Sequence, residues 1–379
     1  MSTLHKRLSE KVDQRKKSNA FRQLYGPSKG VDFCSNDYLG LAQTPEIYQQ
    51  TNNTLQKIGL PLGATGSRLI SGNHSLYDRV EKQLCSFHRS ESALIFNSGY
   101  DANIGFFSTI PQRGDTIIYD SLCHASIRDG IRLSVAKGYS FPHNDIDALR
   151  SKLELARGAI FIAVESVYSM DGDIAPLEEL AQLCEEFQAY LVVDEAHSTG
   201  IYGKYGEGLV VSLGLEGSVF ARLHTFGKAI GAHGAAWFGP PLLRDYLINY
   251  CRSFIYTTAL PVHSLGHIES AYTFLGENPQ RIQDLQLNII YFKQQVTTMG
   301  IGEFIYSDSP IQSCIISGNE KVKSVATFIQ ENGFDVRPIL HPTVGLGQER
   351  LRVCIHSFNS ETEITELVQM LKMGIDKFS

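Results

Sequence analysis

The 379-residue chain lacks several features that would assign it to a specialised class of protein. Its seven cysteines form no Cys-x-x-Cys pair and are scattered singly, so we expect reduced thiols, a cytoplasmic location and no metal site. No apolar run approaches the length of a membrane span, and we expect no membrane contact. Residues 1–17 are charged and have no apolar core, so they do not resemble a secretory signal.

An excess of positive charge is also missing. The net charge is −6 and the isoelectric point is about 6.1, which argues against a general nucleic-acid binder, although a local basic cleft stays open. No glycine-rich loop ends in Gly-Lys-Ser/Thr. The motif Asp194-Glu195-Ala196-His197 also occurs in helicase-type ATPases, but those proteins require that loop, so this alternative is not favoured.

The composition is that of a globular protein, with 43% apolar and 20% charged residues. The length predicts one large domain and a smaller one. Short apolar segments predict buried strands at residues 93–96, 116–120, 159–165 and 190–193. Helical patterns alternate with them, at residues 75–87 and 177–186, which predicts a parallel α/β sheet. We place an N-terminal helix and short strand in 1–45, the large α/β domain in 46–262 and a small α+β domain in 263–379.

Polar residues follow the ends of these predicted strands, namely His124, Ser169, Asp194 and His197. In a parallel sheet, ligands bind at the carboxyl ends of the strands. Asn97-Ser98-Gly99-Tyr100 lies where a strand meets a helix, and amides at a helix start favour a phosphate. A plain helix cap is an equally open interpretation of that segment.

One lysine, Lys228, lies among glycines and small residues, three positions after Thr225. A lysine amine becomes a nucleophile when burial or neighbouring cations disfavour its charged form, and it then forms Schiff bases. Most lysines in such turns are solvated, so this segment alone is weak support. Asp194, at the end of an apolar strand upstream, changes the balance. The two residues suggest a carboxylate facing the ring nitrogen of a cofactor and an amine facing its aldehyde.

Taken in order, these motifs resemble those of the α-oxoamine synthases, pyridoxal-phosphate enzymes of fold type I. The resemblance covers nearly the whole chain and is carried by residues 35–41, 63–72, 97–100, 124–126, 169–173, 194–200, 225–228 and 256–258. It implies a large domain with a mostly parallel central sheet flanked by helices, and a smaller C-terminal α+β domain.

The resemblance also implies roles for single residues. Lys228 would form the Schiff base with pyridoxal 5'-phosphate, Asp194 would bond the pyridine nitrogen, and His124 would stack on the ring, which makes these three the predicted catalytic residues. Ser169 and His197 would contact the phenolic oxygen. The phosphate would bind at Gly99, Tyr100 and Thr225, and at Thr258 of the partner subunit in a homodimer.

The activity implied is a decarboxylating condensation of an amino acid with an acyl thioester of coenzyme A or an acyl-carrier protein. Within the family, the chain is most similar to members that join L-alanine to a pimeloyl thioester in biotin biosynthesis. Sister activities, with glycine and acetyl-CoA or with serine and a long acyl chain, are the alternatives. A non-catalytic regulator that binds the cofactor is disfavoured, because Lys228, Asp194 and His124 are all present.

The substrate site is less well defined. The resemblance places Asn36 near the substrate. Relatives hold the substrate carboxylate with an arginine before Pro-Pro-Thr-Val-Pro, but here Leu340 and His341 precede Pro342. Guanidinium groups match carboxylate geometry, and three arginines stay open as replacements: Arg22, Arg337 and Arg352. In addition, Tyr77 stands where many relatives have histidine.

Overall fold

The computed structural model of the chain describes residues 2–24, 26, 30–59 and 63–378. Its strands are β1 (Val31–Asp32), β2 (Ser92–Phe96), β3 (Thr116–Asp120), β4 (Lys137–Phe141), β5 (Ile160–Glu165), β6 (Tyr190–Asp194), β7 (Ala221–Thr225), β8 (Ala235–Gly239), β9 (Ile311–Ile315), β10 (Phe334–Asp335), β11 (Arg337–Ile339) and β12 (Arg350–Cys354). Its α-helices are α1 (Thr3–Lys17), α2 (Pro45–Ile58), α3 (Ser75–Phe87), α4 (Gly99–Thr109), α5 (Ala125–Leu133), α6 (Ile146–Leu153), α7 (Leu177–Glu186), α8 (Leu209–Ser212), α9 (Pro241–Tyr250), α10 (Arg252–Ile255), α11 (Val262–Glu277), α12 (Gln280–Thr298), α13 (Asn319–Glu331) and α14 (Glu361–Phe378).

The larger of two compact units comprises residues 36–169 and 174–283. It contains a seven-stranded sheet of order β2-β8-β7-β6-β5-β3-β4. The neighbours from β7 to β4 pair in parallel, whereas β8 pairs antiparallel with both β7 and β2. The predicted α/β class with a mostly parallel central sheet is therefore confirmed.

Strands β2, β3, β5 and β6 of this sheet are buried on both faces, which explains why they read as continuous apolar runs. Along β6, Leu191 and Val193 belong to one hydrophobic cluster and Val192 to the other, because successive side chains of a strand point to opposite faces. The first cluster includes side chains of α6 and α7. The second includes side chains of α4 and α9, and Trp237 in it donates its indole N–H to the carbonyl oxygen of Ala102 at 2.9 Å.

The smaller unit comprises the described parts of residues 1–35, 170–173 and 284–379. It contains an antiparallel sheet of order β11-β12-β9 and the parallel pair β1-β10. Helices α13 and α14 pack against each other. Every residue of α1 is exposed. Among the described residues, none of the helices combines the length and apolar character that crossing a bilayer requires.

The contacts divide the chain differently from the predicted ranges. Helix α11 packs against α2 and α3, so residues 263–283 group with the large unit, and the division falls inside α12. Because β1 pairs with β10, the described parts of residues 1–35 group with the C-terminal segment and do not form a separate N-terminal element. Pairing between distant parts of the chain leaves no local signal in the sequence.

Candidate active site

The carboxyl ends of the parallel strands surround a cavity of about 170 Å³ in the large unit. Seven of the predicted site residues line it, and five further residues complete the lining. The predicted ones are Gly99, Tyr100, His124, Asp194, His197, Thr225 and Lys228. The further ones are Asn103, Ser126, Glu165, Ala196 and Leu223.

Lys228 lies in the tight turn between β7 and β8. The turn is closed by backbone hydrogen bonds from Gly231 N–H to the Lys228 carbonyl and from Ala232 N–H to the Phe226 carbonyl, each 2.8 Å. Gly231 has a φ of +66°, and a Cβ there would lie 2.2 Å from the amide nitrogen of Ala42. Only glycine fits this position. The turn therefore fixes the backbone of Lys228, and its half-buried side chain lines the cavity.

Asp194 ends β6 and is 6% exposed. Its Oδ1 accepts the amide proton of Ala196 at 3.0 Å, and its Oδ2 accepts from Nδ2 of Asn103 at 2.8 Å. These two donors fix the orientation of the buried carboxylate, which lines the cavity.

A chain of hydrogen bonds connects Asp194 to His124. Asn103 Nδ2 also donates to Ser126 Oγ at 3.0 Å, and Ser126 directs both its hydroxyl (2.8 Å) and its amide (3.2 Å) at Nδ1 of His124. Both Ser126 groups are donors in this arrangement, so Nδ1 accepts and the ring proton is on Nε2. Burial lowers the pKa of His124, with Lys228 adding to the effect and Asp194 opposing it. The ring is therefore neutral at pH 7.

His197 connects the site to residue 36. Its Nδ1 lies 2.9 Å from the hydroxyl of Tyr38, which donates to Oδ1 of Asn36, also at 2.9 Å. A hydroxyl that donates to Asn36 accepts from His197. Asn36 is thus one side chain away from a residue that lines the cavity.

Glu165 was not predicted as a site residue. It ends β5, is 3% exposed, and its Oε1 has no hydrogen-bond partner among the described residues. Burial raises its pKa to about 8, and the neighbouring charge of Asp194 adds to this shift. In the sequence Glu165 is only the last residue of an apolar strand, and an acid with a purely structural role can occupy the same position. Asn103 and Ser126 were not predicted either, because they lie inside helices and their positions in the sequence do not distinguish them from other polar helix residues.

Two predicted cofactor residues are not among those that line the cavity. Ser169 follows β5 in the large unit. The Thr258 carbonyl accepts from Nδ2 of Asn97 at 2.8 Å. Their predicted roles therefore stay predictions.

The three candidate arginines all belong to the smaller unit. Arg22 and Arg337 line a second cavity there, of about 530 Å³, together with Leu340 and His341. Arg22 donates to Thr343 Oγ1 at 3.3 Å, and Arg337 pairs with Asp335 at 2.9 Å. Arg352 lies opposite Arg337 across the β11-β12 pair and donates to Cys354 Sγ at 3.1 Å.

Tyr77, the residue that differs from many relatives, is fully buried. Its hydroxyl donates to the Leu260 carbonyl at 3.0 Å, and the guanidinium carbon of Arg68 lies 3.8 Å from its ring centre. Arg68 in turn pairs with Glu81 at 2.6 Å. Tyr77 therefore joins α3 to the segment before α11.

Comparison with known proteins agrees with this geometry. Residues 28–371 match the family model of aminotransferase class I and II. An 8-amino-7-oxononanoate synthase of Emericella nidulans is 42% identical, over 93% of this chain and 90% of that protein. One from Marinobacter nauticus is 36% identical, over 96% of this chain and 95% of that protein.

Solved structures show the same relationship. Serine palmitoyltransferase of S. paucimobilis has a TM-score of 0.90 and 26% identity, covering 100% of this chain and 99% of that one. An 8-amino-7-oxononanoate synthase of Francisella tularensis has a TM-score of 0.79 and 29% identity, covering 92% of this chain and 98% of that one. The protein therefore belongs to the aminotransferase class I and II family and, within it, to the α-oxoamine synthases, enzymes whose cofactor is pyridoxal 5'-phosphate.

Proposed function

We propose that this enzyme joins L-alanine to a pimeloyl thioester, giving 8-amino-7-oxononanoate, carbon dioxide and free thiol. Relatives at 36% and 42% identity over most of the chain carry the name of that activity. The structural observation that supports it most directly is the cavity that gathers Lys228, Asp194 and His124. A sister reaction with serine and a long acyl chain is the second candidate, because a serine palmitoyltransferase has a TM-score of 0.90.

The cavity residues match the chemical groups of pyridoxal 5'-phosphate. An amine, a buried carboxylate and a neutral imidazole suit its aldehyde, its ring nitrogen and its ring face. Oδ1 of Asn103 and Oε1 of Glu165 have no hydrogen-bond partner in the described part of the chain, which marks the lining as a polar site and not as core. When bound, the cofactor supplies an electron-accepting ring for the carbanion formed at the amino acid's α-carbon.

The start of α4 is the proposed phosphate site. The amides of Gly99 and Tyr100 belong to the first turn of the helix, where no intrahelical acceptor exists. They and the helix dipole favour an anion, and Thr225 adds a hydroxyl from the end of β7. Ser98 caps the helix by accepting from the Asp101 amide at 3.1 Å, and so fixes these amides.

The remaining residues orient groups and move protons. Asp194, held by Asn103 and Ala196, would keep a protonated ring nitrogen charged. His124 would cover the ring face with its imidazole and exclude water. Lys228, as a free amine, would remove the α-proton of the amino acid as general base. The α-carbon then bonds to the acyl carbonyl carbon as the thiol leaves, and the carboxylate of the resulting β-keto acid is lost as carbon dioxide.

The smaller unit offers a cationic cavity that suits a carboxylate. Arg22 and Arg337 line its cavity together with Arg15 and Lys323. We assign the substrate carboxylate to Arg22 or Arg337 ahead of Arg352, which is not among the residues that line this cavity.

We also propose a homodimer in which Thr258 of each chain contributes to the partner's phosphate site. Sedimentation of the parent and of Thr258→Ala, with cofactor affinity measured on both, tests this arrangement. All seven cysteines are unpaired thiols, which supports the proposed cytoplasmic location.

Thiol release across a panel of amino acids and acyl thioesters tests the reaction. The highest kcat/KM is expected for L-alanine with a pimeloyl thioester, supplied on coenzyme A and on carrier protein. A higher value for serine with a long-chain thioester, or for glycine with acetyl-CoA, would assign a sister activity. Borohydride reduction followed by peptide mapping is expected to find the pyridoxyl group on Lys228, and a label on another lysine contradicts the proposed site.

A further inference from the structure

A cluster of buried polar side chains adjoins the strand ends that carry the active site. It consists of Ser166, Glu195, Ser198, Thr199 and His224, each at most 1% exposed. We call it the Glu195 cluster. None of its members is among the residues described above as lining the cavity.

The carboxylate of Glu195 is the centre of this cluster. Its Oε1 accepts from Ser198 Oγ at 2.9 Å and from the Val210 amide at 3.0 Å. Its Oε2 lies 3.1 Å from Nε2 of His224. Ser198 Oγ also accepts from Ser166 Oγ at 2.9 Å. The cluster thus joins the ends of three neighbouring strands, β5, β6 and β7.

The proton positions follow from the partners. Thr199 donates its hydroxyl to the Glu195 carbonyl at 2.6 Å, so it accepts from Nδ1 of His224 at 2.9 Å. Nδ1 therefore carries a proton, and the second ring nitrogen faces the carboxylate.

A second histidine holds the ring of His224 in place. His88 packs against it, with 3.9 Å between the ring centres and an angle of 39° between the ring planes. His88 is itself fixed, because its Nδ1 donates to the Glu207 carbonyl at 2.7 Å and its Nε2 accepts from the Tyr272 hydroxyl at 2.9 Å. Thr199, Glu195 and His88 therefore together fix the orientation of the His224 ring.

Stability alone does not explain such a cluster. A buried ion pair can often be replaced by well-packed apolar residues with no loss of stability. Glu195 and His224 are the direct chain neighbours of Asp194 and Thr225, both of which line the cavity. The Glu195 amide also donates to the Leu223 carbonyl at 2.7 Å, and this hydrogen bond joins the ends of β6 and β7 beside the cluster.

We infer that the Glu195 cluster is a positioning device that sets the orientation of Asp194 and Thr225 toward the cofactor. This inference rests on the cofactor roles proposed above for those two residues. Glu195 and His224 act through their neighbours and contact neither substrate nor cofactor.

The test replaces the pair by apolar residues in the double variant Glu195→Leu/His224→Phe. The expected result is an affinity for pyridoxal 5'-phosphate lower by about 10- to 100-fold, the range seen when groups that orient metal ligands are removed, together with a lower unfolding free energy, because the Val210 amide and the Ser198 hydroxyl lose their acceptor. The absorbance maximum of the bound cofactor is also expected to shift. Glu349→Gln is the matched control, since this buried carboxylate accepts from the Gly318 amide at 2.8 Å and does not line the cavity.

Asp194→Asn, measured in parallel, separates the inference from the proposed site. If Asp194→Asn changes affinity and absorbance but the double variant changes neither, the positioning role is wrong. If Asp194→Asn changes neither, the proposed site itself is wrong. Should the double variant not fold, Glu195→Gln, which keeps the side-chain size, is measured in the same way, and parental affinity and absorbance in it overturn the inference.

Discussion

Glu165 and Asp194 lie side by side in register at the ends of the neighbouring parallel strands β5 and β6. Both carboxyl groups are buried and both line the active-site cavity. Two adjacent buried carboxylates do not both ionise readily. Asn103 and Ala196 donate to Asp194, and the pKa of Glu165 is raised to about 8, first by burial and then by Asp194.

This relationship predicts a pH dependence. Because the folded-state pKa of Glu165 is raised from 4.5 to about 8, its contribution to stability is complete below pH 4.5 and is lost as the pH rises through about 8. The stability of Glu165→Gln relative to the parent is therefore expected to increase with pH across this window. Denaturant unfolding of the cofactor-free proteins at several pH values measures it.

Glu186→Gln is the control for this measurement. Its exposed carboxylate pairs with Arg150, whose hydrogen bond lowers its pKa, so its contribution changes only below this window. If the difference in unfolding free energy between Glu165→Gln and the parent stays constant from pH 5 to about 8, Glu165 titrates normally.

Lys228→Ala is expected to abolish both the absorbance of the lysine-bound cofactor and turnover, because no other amine among the cavity-lining residues replaces it. Absorbance spectra and thiol release measure the two effects. Lys204→Ala is the control, since Lys204 is exposed and lies over the ring of Tyr205 at 5.0 Å. Normal turnover by Lys228→Ala would remove this lysine from the mechanism.

Asn103→Ala is expected to lower both stability and cofactor affinity. It removes the donor to Asp194 and breaks the connection through Ser126 to His124, and an unsatisfied buried acceptor costs about 1–3 kcal/mol. Unfolding and cofactor titration measure the two losses. Asn249→Ala, which removes an exposed amide bonded to the Asp245 carbonyl, should change neither. Unchanged affinity in Asn103→Ala would contradict the role given to this hydrogen-bond chain.

Tyr77→Phe is expected to reduce stability by about 1–2 kcal/mol, because the Leu260 carbonyl loses its hydroxyl donor. Cofactor affinity should stay at the parental value, since Tyr77 does not line the cavity. Tyr48→Phe at an exposed position is the control. A loss of affinity without a loss of stability would show that Tyr77 acts on the active site and not on the packing of α3.

Much of the large unit could be predicted from local pattern. The helices at 75–87 and 177–186 and the strand at 116–120 are confirmed, because apolar periodicity and strand burial act within a few residues. β7 and β8 were not predicted. β7 carries the buried polar residues Arg222 and His224, and their hydrogen-bond partners Thr199 and His88 are distant in the sequence.

The sequence by itself determined the α/β class, the family and the cofactor, because short motifs at strand ends carry those signals. It also named seven of the residues that line the cavity. Only the tertiary structure showed that Glu165 lies beside Asp194, that Asn103 joins Asp194 to His124, and that Glu195 pairs with His224. These relationships depend on which strands are neighbours in the sheet, and hydrogen bonds between residues far apart in the chain leave no periodic trace in it.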